Sequence, residues 1–382
     1  MNRSFAGGRL RRLLLAALAV TALTAPVAAQ PAAATTSSAT ILTDESDLRA
    51  ACANKQAATT LPGWFDQRTR HCVRLLKEAA VVRSDGVVLG RYQVTFTLLG
   101  FAAGNGSRGV DWVVSLENIT FVQGSLDAGK LRLTVNVKGC QNVTNMVCPA
   151  ANLLQRADLV TGWRTNPKMS RFAFTSPNNT GGGDYKTVNA QMSVDVLQEY
   201  LDGQTVPAQS PMILYSNVRY DSAAAALGAK NHGAVFSDPI PTFTLSLSDP
   251  SVNESATHIR DAIQYPERTF PSWLGKHPPS TLTRMMSPTL KDKNGTESKK
   301  VCLDVWGTYD GNIQNCDEYP FATTYEGAYT DVILHPGNPW NGSARIIDAG
   351  DNQHVGRDLL QNTFYAGQRM LDGDTFHVVI TP

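Results

Sequence analysis

From about residue 81 to residue 247 the chain is written in short alternating runs. Tyr92-Gln93-Val94-Thr95-Phe96-Thr97-Leu98 sets apolar and polar side chains on successive positions, and residues 130–137 do the same. Period 2 is the pattern of a strand with one buried face. Residues 111–116, 171–175, 187–196, 212–220 and 241–247 read as further strands. Gly104-Asn105-Gly106 and Asp127-Ala128-Gly129 separate them as turns. Many short strands at fairly regular intervals commit this part of the chain to antiparallel sheet, as a sandwich or barrel.

Before the strands, residues 46–53 read as a helix and a second helix is expected around 70–79. After them the text changes. Pro239, Pro241 and Asp249-Pro250 punctuate the chain, and a boundary is placed near residue 250. A length of 382 residues also favours two domains. Beyond the boundary a helix is expected at 255–264, then a Pro-rich stretch at 266–288 and a Lys-rich loop. Strands are expected at 301–306, 344–347 and 376–380. A helix or turn is expected at 325–332, and a helix at 356–371 broken by Gly367. That order is α+β. The fold class is therefore α+β overall, with an N-terminal, mostly antiparallel β domain and a small α+β domain after it.

The N-terminus reads as an export signal. Arg9, Arg11 and Arg12 precede an apolar run over 13–25, and Val27-Ala28-Ala29 supplies a small-residue cleavage site. Residues 1–29 are thus expected to be removed, with 30–45 a flexible leader, 46–250 the β-rich domain and 251–382 the second domain. The apolar run is too short and Ala-rich for a membrane span, so no stable membrane insertion is expected after cleavage and the protein is expected outside the cell. Six cysteines remain, an even number, and export makes disulfides the default. Sequence order suggests Cys52–Cys72, Cys140–Cys148 and Cys302–Cys316. With no CxxC, a zinc site is not expected.

The first domain offers little chemistry. His71 and His232 have no acid or free Cys at ligand spacing and read as structural or surface histidines. Residues 178–183 form a flexible loop rather than a phosphate loop, because Asp184 and Tyr185 separate its last Gly from Lys186. Asn105, Asn118, Asn142 and Asn294 head N-x-S/T triplets.

The chemistry concentrates in Cys316-Asp317-Glu318-Tyr319-Pro320-Phe321-Ala322, followed by Glu326-Gly327. Adjacent acids repel, and taking them out of water costs free energy unless a cation or proton compensates. This string resembles the signature of the NucA/NucB secreted deoxyribonucleases. His258-Ile259-Arg260-Asp261-Ala262-Ile263 resembles the helix opening that domain, residues 343–347 with Asp351-Asn352 resemble its Ser-x-Arg…Asp-Asn segment, and residues 372–378 resemble its closing strand. The resemblance covers about 251–382.

It implies a metal-dependent, non-specific endonuclease acting on DNA, with a site similar to the one-metal ββα nucleases and an acid where many of those enzymes keep a histidine base. Asp317 would be the general base or its orienter, with Glu318 beside it. Asn352 would hold a divalent ion, Mg or Mn, through its side-chain oxygen, and Glu326 would join it or only order the site. Arg345 either grips a phosphate with its planar fork or is a strand-edge surface residue. His354, two residues past Asn352, is open as a ligand, a proton donor or an idle surface residue, and idle is the first reading. Residues 251–382 alone are expected to cut DNA.

The charge balance runs against the usual basic footprint of a DNA-binding protein. Residues 251–382 hold 11 Lys and Arg against 16 Asp and Glu, a net of −5. A bound cation would then have to help receive the phosphate. The local basic cluster Lys291, Lys293, Lys299 and Lys300 reads equally as a solvated loop or a phosphate-steering patch. Two other classes stay open: an antibacterial nuclease toxin whose β-rich domain engages a receptor, and a non-enzymatic surface or adhesion protein with a degenerate nuclease domain.

Overall fold

The computed structural model describes residues 38–382 except 141–142, 204, 206–207 and 224–231. The expected signal peptide, the first part of the expected leader and Asn142 lie outside the described residues. Backbone contacts separate residues 1–43 from a single compact body formed by Asp44–Pro382. The first helix, α1 (Ser38–Ala53), begins inside the segment read as a leader.

The strand-rich part builds two antiparallel sheets. One has β1 (Trp64–Asp66), β2 (Arg70–Val82), β3 (Val88–Ala102), β5 (Gly109–Gly124) and β8 (Phe172–Thr175) in that spatial order. The other runs β4 (Gly104–Asn105), β11 (Gly233–Phe236), β10 (Ala208–Asp221), β9 (Val188–Tyr200), β6 (Leu131–Lys138) and β7 (Gln155–Leu159). The helix α2 (Val160–Thr165) follows β7. Inward side chains of both sheets, among them Phe96, Trp112, Leu133, Val194 and Phe236, share one core. Burying each such side chain stabilises the fold by roughly 1.5–3 kcal/mol.

The helix expected over 70–79 is strand β2 instead. Its Leu-Lys-Glu-Ala-Ala text has helical propensity, but β2 pairs with β1 on one edge and with β3 along nearly its whole length. Tertiary pairing overrides a propensity that spans only tenths of a kcal/mol per residue.

The second part has its own core, including Phe243, Ile259, Tyr319, Phe321, Phe364 and Phe376. A three-stranded sheet orders β12 (Thr242–Ser246), β16 (Thr375–Thr381) and β13 (Thr281–Thr283), with β12 parallel to β16. A two-stranded antiparallel sheet joins β14 (Gln314–Tyr319) to β15 (Ser343–Asp348). Helices α3 (Asn253–Gln264) and α4 (Pro288–Trp306) both contact that small sheet. A short α5 (Thr330–Leu334) lies in the chain between β14 and β15. Helix α6 (Ala349–Gln353) follows β15 at once and runs on as a π-helix over His354–Tyr365, so it starts earlier than the helix expected at 356–371.

Helix α4 replaces the expected Lys-rich loop and the strand at 301–306. Ser287 caps it, its hydroxyl accepting from Leu290 N at 3.3 Å, and Pro occupies its first turn. Its buried residues are Asn294, Ser298 and Cys302, at four-residue steps. A helix that buries a polar stripe carries no apolar period to find. Asn294, read as a sequon, is fully buried. Its amide donates to Ala322 O and Thr324 O, and its oxygen accepts from Tyr329 N and Thr330 N. One side chain thus shapes the 322–330 turn after β14. A Cβ on Gly327 would sit 2.3 Å from the Asn294 amide nitrogen, so only glycine lets the two approach.

The three cysteine pairs suggested by sequence order lie at disulfide distance, with Cα separations of 6.0, 5.5 and 6.0 Å. Cys302–Cys316 ties α4 to β14 one residue before Asp317 and contributes about 3 kcal/mol in the chain-entropy account. Non-reducing peptide mapping should recover Cys302 joined to Cys316. A peptide joining Cys316 to any of the four upstream cysteines would contradict this.

The two parts are held together by buried charge. Asp374, just before β16, bonds to Arg68 Nη1 at 2.8 Å and Arg219 Nη1 at 2.7 Å. Arg369 bonds to Asp221. Asn105 donates to Ala366 O at 2.9 Å. A fragment cut at residue 251 leaves β12 and these partners behind.

Candidate active site

Alternation along β14 sends its two acids to opposite sides of the small sheet. Cys316 and Glu318 share the side facing α4, where Cys316 meets Cys302. Asp317 shares the other side with its cross-strand partner Arg345, and both reach α3.

Asp317 is 5% exposed. Its Oδ2 lies 2.7 Å from His258 Nδ1, and His258 Nε2 lies 2.7 Å from Ser343 Oγ. An ionised carboxylate only accepts, so Nδ1 carries the proton toward Asp317, and in the neutral tautomer Nε2 accepts from the serine hydroxyl. The chain Asp317–His258–Ser343 looks like a nucleophile triad by order of contact. Ser343 and His258, however, are both fully buried, so the serine cannot reach a substrate. What the chain does is fix the Asp317 carboxylate through its Oδ2. In the sequence His258 stands only as part of a helical segment. Nothing in its local sequence marks it, because its partners are 59 and 85 residues away.

Glu318 faces a cleft between α4 and the helix that follows β15. The cleft holds about 540 Å³ and is lined by Lys291, Lys299, Glu318, Asn352 and Gly356 among others. A small pocket of about 70 Å³ adjoins it, sharing Lys291, Glu318 and Asn352 and adding Asp317. Asp317, Glu318 and Asn352 are thus brought together. By area Glu318 is only partly buried, yet protein atoms crowd its carboxyl. That desolvation, and then the charge of Asp317, push it up to about 7, against opposing pulls from Lys299, the Ala322 N–H and Lys291.

A carboxyl raised in the fold binds its proton more tightly folded than unfolded. Its stabilising contribution is therefore full below its ordinary value of 4.5 and is lost as pH rises through about 7. In EDTA, wild type should lose up to about 3 kcal/mol between pH 4.5 and 8 relative to Glu318→Gln. Urea unfolding of the two proteins across that range checks this. Parallel stability curves would contradict it.

The other expected residues lie elsewhere. Glu326 accepts from Thr283 N at 2.9 Å, which braces the turn against β13, and it is not among the residues lining the cleft. Arg345 donates to Asp261 on α3 at 3.0 Å and lines a separate depression with Glu254 and Thr257. Asp351 is buried and caps α3, accepting from Glu254 N, Ser255 N and Ser255 Oγ. His354 pairs with Asp358 at 3.3 Å.

Among the described residues no three His, Cys, Asp or Glu cluster as a metal cage. The cleft does offer hard oxygen donors, the carboxylates of Asp317 and Glu318 and the amide oxygen of Asn352. That sparse set suits Mg²⁺ or Mn²⁺, since Mg²⁺ keeps several waters and commonly takes one or two carboxylates plus substrate phosphate.

The site therefore belongs to a small α+β domain in which two antiparallel strands and a following helix bring acids and an amide to one cleft. Residues 276–379 match the family model Deoxyribonuclease NucA/NucB, so the C-terminal third of the chain carries a NucA/NucB deoxyribonuclease domain, and DNA is the substrate such a domain implies. The match spans β13 to β16 and includes every cleft residue named here, but not α3 with His258. No curated protein and no solved structure matches the chain.

Proposed function

We propose that this protein is an exported, metal-dependent endonuclease that hydrolyses DNA phosphodiester bonds. The observation that carries the reading is the convergence of Asp317, Glu318 and Asn352 on one cleft inside the matched domain. The antiparallel pair β14–β15, with the short α5 in its connection and α6 directly after β15, supports the likeness to one-metal ββα nucleases. The expected export signal and the three cysteine pairs at disulfide distance support a protein outside the cell.

Asp317 takes the proton of the attacking water while His258 holds its Oδ2, so the base is oriented before substrate arrives. Glu318 and Asn352 would hold the ion by their oxygens. The bound cation would act as a Lewis acid at the phosphate oxygen and leaving group. Glu326 and Arg345 support the site from outside, the first by ordering the turn and the second by holding α3 against β15.

Metal titrations of wild type and Asn352→Ala test the ligand assignment. Asn352→Ala should need more Mg²⁺ or Mn²⁺ for half-maximal cutting, with its rate partly restored at high metal. An unchanged metal requirement would remove Asn352 from the ion.

A further inference from the structure

Helix α4 carries four lysines, and the fold divides them. Lys293 Nζ bonds to Tyr329 Oη at 3.1 Å and lies over that ring, while Lys300 pairs with Glu297 at 2.7 Å. Lys291 and Lys299 line the cleft that holds Glu318, and among the described residues neither ammonium has a hydrogen-bond or ion-pair partner. Both are exposed. Leaving two cations unpaired beside an acidic site, in a domain that is net negative, reserves their charge for an anion.

Their spacing says more. Lys291, Gly295 and Lys299 stand at four-residue steps, so they share one face of α4, with the two lysine Cα atoms about 12 Å apart along the axis. That separation spreads the two charge-bearing positions along the helix axis. It suits two phosphates of one strand, whose charges repeat about every 3.4 Å of duplex axis. Between them Gly295 is unfavourable in a helix interior. A Cβ there would meet nothing within 4 Å, and the same holds for Gly356 on the opposite wall. Neither glycine is needed for internal packing. Both leave the floor of the cleft open to close approach.

We infer that the α4 face Lys291–Gly295–Lys299 is a strand-tracking wall that binds two backbone phosphates flanking the scissile bond, independently of base sequence. This rests on the nuclease reading above. Phosphate contacts carry position, not sequence, so the wall fits non-specific cutting.

The test is the salt dependence of KM for cleavage of a DNA duplex by the full chain. Lys291→Gln and Lys299→Gln should each raise KM several-fold at low salt and flatten the slope of log KM against log salt by about 0.7–0.9, and together by about twice that. Lys293→Gln and Lys300→Gln should leave the slope unchanged. Gly295→Leu should raise the melting temperature, because leucine is the better helix former, while raising KM. A purely structural role for this face would not separate those two readouts. Unchanged slopes for Lys291 and Lys299, or equal flattening by all four lysines, would overturn the inference while leaving the nuclease standing. A wild-type chain that cuts no DNA would overturn the nuclease reading itself.

Discussion

Asp317→Asn is expected to lower the rate of DNA cleavage at least about a hundredfold, with KM and melting temperature little changed. Asparagine keeps the size of the side chain, and its amide oxygen can still accept the His258 Nδ1–H that meets Oδ2 at 2.7 Å. The buried link to Ser343 therefore survives. What disappears is the proton acceptor, and loss of a general base typically costs about 10²–10⁴ in rate. A fall in kcat with unchanged KM locates the loss in the transition state. A variant that cuts at the wild-type rate would place the base elsewhere. One that loses activity only because it no longer folds would show in its melting curve.

Arg369→Met is expected to destabilise the protein by about 3–5 kcal/mol, the usual result of stranding one member of a buried ion pair. Arg369 is fully buried and donates to Asp221 from Nε at 2.9 Å and Nη2 at 2.5 Å, and to Asn105 Oδ1 at 2.6 Å. Asp221 is equally buried and, among the described residues, would be left with the 3.3 Å approach of Arg219 Nε and the more distant charges of Arg68 and Arg108. Replacing both partners, Arg369→Met with Asp221→Leu, should recover much of the loss, because no buried charge is then left alone. Urea unfolding of wild type, single and double variants decides it. A single variant within about 1 kcal/mol of wild type would contradict this account. The same network bears on the expectation that residues 251–382 alone cut DNA: such a fragment leaves Asp374 without Arg68 and Arg219, and β16 without its parallel neighbour β12.

Strands with alternating text were legible as strands, although β3 over 94–101 and β5 over 112–116 are buried on both faces rather than one. The acid string was legible as chemistry, and cysteine order anticipated the three pairs. Three features were hidden for physical reasons. Helix α4 buries Asn294, Ser298 and Cys302, so hydrogen bonds and a disulfide do what apolar side chains do elsewhere and no periodic apolar signal remains. Strand β2 is spelled in helix-forming residues and held by neighbours on both edges. His258, Arg68, Arg219 and Arg369 act through partners 59 to 306 residues away, which no local pattern reports. Within the acid string, the alternation of a strand turns Asp317 toward α3 and Glu318 toward α4, while both residues still line the small pocket with Asn352.

The most direct measurement is the cutting of supercoiled plasmid by the purified full chain with Mg²⁺ or Mn²⁺, repeated in excess EDTA. The account predicts nicked, then linear, then fragmented DNA with metal, and intact plasmid with chelator. Intact plasmid in both arms, or equal cutting in both, would contradict it.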